Sequence, residues 1–254
     1  MPYGLTPAES AFYAANGYVH VPGLLTRDEA AAFRAELHAL ADRREYSDAT
    51  WASVKDSGAK LTHCHDVQFE SAAFTRLLVD PRLTGAAQSI IGPNVQLHHT
   101  KMFIKPPERG APFPMHQDQP YFPHEKHSMI AAIIHFDDAP VEKGCLRVVP
   151  GSHKRGALAS VGADHVLAPG TYDEADVVEL AAKAGDAIFL SYFLIHGSGV
   201  NVSAEPRTTV LIQMRDPLDR PTTQGHASRG QGMMLAGIDP SRGAFNFAWA
   251  DAAA

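Results

Sequence analysis

The chain has 254 residues, of which 45% are hydrophobic and 20% charged, enough apolar material for one large core or two small ones and ordinary for a soluble globular protein. A net charge of −6 disfavours nucleic acid as a partner, because that contact needs a basic face to displace counterions. No basic-then-apolar leader opens the sequence and no apolar run reaches the roughly 18 residues that a bilayer demands, so the expectation is a cytoplasmic protein with no membrane partner, acting on small molecules. The two cysteines, Cys64 and Cys145, lack CxxC spacing and suit a reducing compartment.

Thr6 and Glu9 form a capping box around Pro7, and Gly17 supplies a stop, so the pattern predicts a helix over 7–16. Thr26 and Glu29 open a longer helix that carries Phe33, Leu37 and Leu40 at helical spacing. Asp80 and Pro81 start a third, which ends before Gly92. After Pro93 the pattern changes. The segments VQLHHTKMFI (95–104), SMIAAIIHF (128–136), CLRVV (145–149), DVVEL (176–180), DAIFLSY (186–192) and RTTVLIQM (207–214) are short, rich in β-branched and aromatic residues, and separated by turn residues. Such a run of strands without intervening long helices predicts an antiparallel sandwich or jelly roll rather than a doubly wound sheet. From about 222 onward Gly, Ser and Ala dominate, and irregular covering structure is expected. No linker divides the chain, which reads as one domain over 1–254: mostly helical over 1–92, jelly roll over 93–217 and irregular over 218–254.

In PMHQDQPYF (114–122), His116 and Asp118 stand one residue apart. On an extended segment residues i and i+2 share a face, so the pair can hold one divalent ion. His196, which ends the apolar run LSYFLIH before a glycine turn, is the candidate third ligand. Two histidines and one carboxylate make a facial triad that leaves open positions on ferrous iron. An HxD tripeptide alone is common, and the chain holds a second copy in His135 and Asp137. Discrimination comes from Arg207, eleven residues after His196 and first in RTTVLIQM. A guanidinium there can grip a carboxylate in bidentate fashion, as the distal carboxylate of 2-oxoglutarate requires. The second copy has only His153 downstream, in the turn-like PGSHKRG with no arginine-led strand behind it, so His135 reads as structural or pocket-lining.

The segments HQDQPYFP, DDAPVEKGCLRVVPGSHK, GDAIFLSYFLIHGSGVN and RTTVLIQMRDP resemble the phytanoyl-CoA dioxygenase family of Fe(II)- and 2-oxoglutarate-dependent oxygenases. The likeness runs from FYAANGYVHVPGLLTRDEAAAF to about Pro217. It implies an α+β fold with a mainly β core, a double-stranded β-helix of the cupin type buttressed by N-terminal helices. It implies Fe(II), 2-oxoglutarate and O2 as cofactor and cosubstrates, with His116, Asp118 and His196 on the metal and Arg207 on 2-oxoglutarate. Gln117, Ser198 and an upstream lysine, for which Lys60 is the candidate, match positions that hold the cosubstrate in relatives. Many relatives place a tryptophan where this chain has Ile133, which reshapes the pocket beside His135. Related halogenases replace the carboxylate ligand with a small residue, so Asp118 favours hydroxylation of an unactivated C–H bond, with release of succinate and CO2, or another carboxylate-dependent oxidation. His98, His99, Lys101, Lys105, Tyr121, Phe122, Ile133, His135 and Arg147 are candidates for lining the pocket. No strong basic cluster for CoA phosphates is present, so a small organic metabolite is the expected substrate. Two rivals stay open: a metal-dependent cupin enzyme that does not use 2-oxoglutarate, and a non-catalytic small-molecule-binding protein on the same fold.

Overall fold

The structure, a computed structural model, describes residues 3–43, 62–108, 110–162, 165–223 and 227–241. Four α-helices stand among the described residues: α1 (Pro7–Asn16), α2 (Arg27–Asp42), α3 (Ala72–Leu78) and α4 (Pro81–Ile91). The caps set their ends. Thr6 and Thr26 each accept from the backbone N–H of the glutamate three residues on, and each glutamate reaches back to the cap N–H. Gly17 closes α1 in the left-handed conformation, with φ 80. α3 lies in a stretch where the sequence pattern shows no helix; Ser71 caps it and Phe74, Leu77 and Leu78 bury its apolar side.

The strands in chain order are β1 (Tyr18–Val21), β2 (Thr62–His65), β3 (Val95–Lys105), β4 (Phe113–His116), β5 (Ile130–His135), β6 (Leu146–Val148), β7 (Ser160–Val161), β8 (Val166–Leu167), β9 (Val178–Leu180), β10 (Ala187–Ser191), β11 (His196–Ser198), β12 (Arg207–Arg215) and β13 (Met234–Ala236). A larger sheet runs β1-β10-β5-β12-β3-β13, with β2 also on β3, and a smaller one runs β7-β8-β4-β11-β6-β9. All pairings are antiparallel, as a jelly roll requires. β13 departs from the expected irregular tail: it pairs with β3.

The helices cover one face of the larger sheet. Leu37, Phe74, Leu78 and Leu83 pack there with Leu97, Met102 and Ile104 of β3, Ile134 of β5 and Val210, Ile212 and Met214 of β12. A second, smaller core, including Ala131, Leu146, Val148, Ile188 and Leu190, fills part of the space between the sheets. Strand alternation turns the intervening residues of β12 (Thr209, Leu211 and Gln213) toward the smaller sheet, where a cavity remains. β3 reaches the same arrangement through a bulge. Gln213 pairs with His99 and Met214 with Leu97, which leaves His98 as the extra residue. Leu97 therefore faces the helices, whereas His99, Lys101 and Phe103 face the cavity.

Candidate metal centre and the cavity around it

β4 ends at His116, and its Cα partner on β11 is His196. A cross-strand pair brings side chains together, and the two imidazole centroids lie 4.3 Å apart. Gly197 permits the close approach: a Cβ there would lie 2.6 Å from Phe113 O. Asp118 does not continue the strand, contrary to the extended-segment argument. Its backbone is right-handed helical, with φ −74 and ψ −24, and it opens a short 3₁₀ turn over Gln119–Tyr121. The chain bends at this point and swings the carboxylate back, so that Oδ1 sits 3.5 Å from His116 Nε2 and 3.7 Å from His196 Nε2.

One ligating atom from each of His116, Asp118 and His196 lies within 4.8 Å of the others, and the residues are 5%, 8% and 5% exposed. Nδ1 of His116 lies 2.7 Å from Pro114 O and Nδ1 of His196 lies 3.0 Å from Leu194 O. A carbonyl can only accept, so in each neutral ring Nδ1 carries the proton and Nε2 presents its lone pair to the centre. Burial and the neighbouring His116 push His196 down to about 4, which keeps it unprotonated at neutral pH. Burial pushes Asp118 up, but the two imidazoles and the Gln213 amide outweigh it and hold the carboxylate well below its ordinary range. The second oxygen, Oδ2, accepts from Gln213 Nε2 at 3.3 Å. Two imidazole nitrogens and one carboxylate oxygen, clustered and held from behind, fit an octahedral ferrous ion with its remaining positions open.

The triad borders a cavity of about 120 Å³. Arg207, the first residue of β12, forms part of its lining. Its Nη1 donates to Gly144 O, and burial pushes its pKa down to about 10, so it stays charged at neutral pH. Lys105, the Cα partner of Arg207, is fully buried and donates from Nζ to Ser198 Oγ at 2.8 Å and Gly199 O at 2.6 Å. Burial first, and Arg207 second, push its pKa well down. Ser198 borders the cavity, with Lys105 behind it.

His99, Lys101, Tyr121, Phe122, Ile133 and His135 face the cavity. Other expected residues do not. Gln117 is wholly buried outside it: Nε2 donates to Gly156 O at 2.9 Å and Phe193 O at 2.5 Å, and Oε1 accepts from Leu158 N at 2.9 Å. Its bonds are used up in tying loops together, because it points away from the side its two neighbours share. His98, the bulge residue, instead packs against His99, Phe122 and His124. Arg147 lines a neighbouring groove with Pro112 and Tyr172, which shares Phe113 and Ser198 with the cavity, and pairs with exposed Glu174. Lys60 lies outside the described residues. Gln213 was not singled out from the sequence, although alternation from Arg207 through Thr209 and Leu211 would have reached it.

Residues 13–209 match the profile of the family described as Phytanoyl-CoA dioxygenase (PhyH). The chain belongs to the PhyH family. It is 30% identical over 223 residues to the peroxisomal phytanoyl-CoA dioxygenase of Rattus norvegicus, covering 78% of this chain and 64% of that protein. The PhyH-family chain thus spans less than two thirds of the length of that relative. Among solved structures it is similar to the non-heme alpha ketoglutarate dependent carbocyclase SnoK from nogalamycin biosynthesis, with TM-score 0.73, 25% identity and coverage of 90% of this chain and 93% of SnoK. It is also similar to the epimerase SnoN in complex with Fe3+, alpha ketoglutarate and nogalamycin RO, with TM-score 0.72, 25% identity and coverage of 91% and 96%.

Proposed function

We propose that this PhyH-family chain is an Fe(II)- and 2-oxoglutarate-dependent dioxygenase that hydroxylates an unactivated C–H bond of a small organic metabolite. The observation that carries the reading is the buried His116–Asp118–His196 cluster sharing one cavity with the charged guanidinium of Arg207. SnoN, similar along nearly its whole length, is a protein described with iron and alpha ketoglutarate together. His116, Asp118 and His196 would hold the iron, and Arg207 the distal carboxylate of 2-oxoglutarate. Bound there, iron and the keto acid would supply the oxidising chemistry, with O2 as oxidant and succinate and CO2 as co-products.

The protein's share is placement. The carbonyls of Pro114 and Leu194 fix both imidazoles by their Nδ1 protons, and Gln213 turns the Asp118 carboxylate so that Oδ1 faces the centre. Phe103, Phe113, Ile133 and Leu211 line the same cavity with apolar surface, which excludes water and strengthens the pull of Arg207 on an anion. No helix among the described residues is long and apolar enough to cross a membrane. Both cysteines are buried thiols, as a reducing compartment allows.

The test is anaerobic titration with Fe(II) and then 2-oxoglutarate, monitored by the weak visible charge-transfer band of an iron-chelated keto acid. The band is expected in the unaltered protein, absent in His116→Ala and weakened in Arg207→Ala. Iron binding without the band would remove 2-oxoglutarate from the reading while leaving the metal site intact.

A further inference from the structure

The Arg207 end of the cavity carries more buried hydrogen-bonding capacity than the protein itself satisfies. His135 ends β5, and its Cα partner is Thr209, two residues along β12 from Arg207. All three face the cavity. The His135 ring is 1% exposed, and neither Nδ1 nor Nε2 has a hydrogen-bond partner among the described residues; Arg207 Nε is unpartnered as well. Buried polar atoms are almost always paired. The two N–H donors among the three, Arg207 Nε and one ring nitrogen, call for a ligand that supplies acceptors.

The ring does not owe its position to side-chain bonds. The His135 backbone N–H donates to Asp186 O at 2.9 Å and its carbonyl accepts from Gly185 N at 2.8 Å, so the sheet fixes where it stands. The nearby Asp186 carboxylate is already engaged with His20 Nε2 and with the Gly23 and Lys183 backbone N–H groups. Burial and the charge of Arg207 push the His135 pKa down to about 3, so at neutral pH the ring has one N–H donor and one lone pair. The missing partner must accept hydrogen bonds, since both Arg207 Nε and the ring N–H are donors. It must also be compatible with a guanidinium whose Nη1 is already taken by Gly144 O. A carboxylate meets both conditions: it has two acceptor oxygens and no proton to place. A cation would be repelled, and an apolar group would leave the donors bare.

We propose that His135 is a second anchor for the distal carboxylate of 2-oxoglutarate, donating a hydrogen bond to it beside the charge contact from Arg207. The inference rests on the reading of Arg207 as the cosubstrate site. It makes His135 a binding residue that selects a keto acid with a second carboxylate.

The test uses Fe(II)-loaded protein under anaerobic conditions and two keto acids. One is 2-oxoglutarate; the other is 2-oxopentanoate, of equal carbon count but with a methyl in place of the distal carboxylate. Affinities are read from the charge-transfer band and from calorimetry, with iron stoichiometry and circular dichroism reporting on the fold. His135→Ala and His135→Phe are each expected to weaken 2-oxoglutarate by about 10- to 100-fold, the range for a hydrogen bond to a charged group, and to leave 2-oxopentanoate unchanged. His135→Gln keeps an N–H donor at little cost to the fold and is expected to recover part of the loss. Unchanged affinity for 2-oxoglutarate in the Ala and Phe variants overturns the proposal, as does equal weakening of both keto acids, which would mean that the ring only shapes the cavity. Absence of the band in the unaltered protein would fell the Arg207 reading and this inference together. A band weakened by Arg207→Ala but not by the His135 variants would fell this inference alone.

Discussion

Gln213 offers a test of whether the metal centre is tuned from behind. Its amide is wholly buried and donates to Asp118 Oδ2 at 3.3 Å; because a carboxylate can only accept, the NH2 end must face it. Gln213→Leu keeps the approximate volume and deletes the donor. A hydrogen bond to a charged group contributes roughly 1.5–3 kcal/mol, and 3.3 Å is long for such a bond, so the lower end applies. About 1.5 kcal/mol corresponds to roughly a tenfold change in an equilibrium constant. The carboxylate, less restrained and less well oriented, is expected to bind Fe(II) about tenfold more weakly. Anaerobic competition against a chelator of known affinity measures this, with circular dichroism confirming the fold. An iron affinity equal to that of the unaltered protein would refute the argument that Gln213 orients Asp118.

Gln117→Leu makes the opposite kind of change. It removes three buried hydrogen bonds that join the turn after β4 to Gly156, Leu158 and Phe193, and is expected to cost roughly 2–4 kcal/mol in chemical denaturation, while 2-oxoglutarate affinity in the folded protein stays unchanged. Lost cosubstrate affinity at full stability would reverse the assignment. The metal-free protein is also expected to lose stability in mild acid. His135 and His196 have folded pKa values of about 3 and about 4, below the unfolded value of roughly 6.5. The unfolded chain therefore takes up protons that the folded one refuses, and stability falls as pH drops from about 6.5 toward those values. By pH 4.5 each contributes a loss of about 2–3 kcal/mol. Urea midpoints that stay level between pH 7 and 4.5 would show that these rings are not held neutral by burial.

What could be read from the sequence depended on how local its cause was. Helix ends written in adjacent residues, such as the capping boxes at Thr6 and Thr26, were legible to the residue. The longer strands were legible as runs of β-branched residues, but β4 has four residues including Pro114, and β1 follows a helix with only a glycine between. Neither carries enough pattern to stand out. Residue type and order point to His116, Asp118, His196 and Arg207, and the structure brings them to one cavity. Strand alternation nonetheless does not account for Asp118, because a turn and not a strand delivers its carboxylate. Gln117 and Arg147 were misplaced for a different reason: which side a residue faces depends on partners far away in sequence, Leu158 and Phe193 for the one and Glu174 for the other.

The bulge at His98 decides what kind of interior the protein has. Ahead of it the odd-numbered residues of β3, Val95 and Leu97, belong to the helix-packed layer; beyond it the even-numbered Met102 and Ile104 do. One unpaired residue thus reverses the strand's parity. Were His98 drawn into regular pairing with the ladder beyond it intact, the chain ahead would be turned over, and Val95 and Leu97 would lose their place against the helices. If the chain ahead held its position instead, Met102 and Ile104 would face the metal cluster, and Lys101 and Phe103 would be driven into the apolar layer. The hollow between the sheets owes its polar lining on this strand to a single miscount in the ladder.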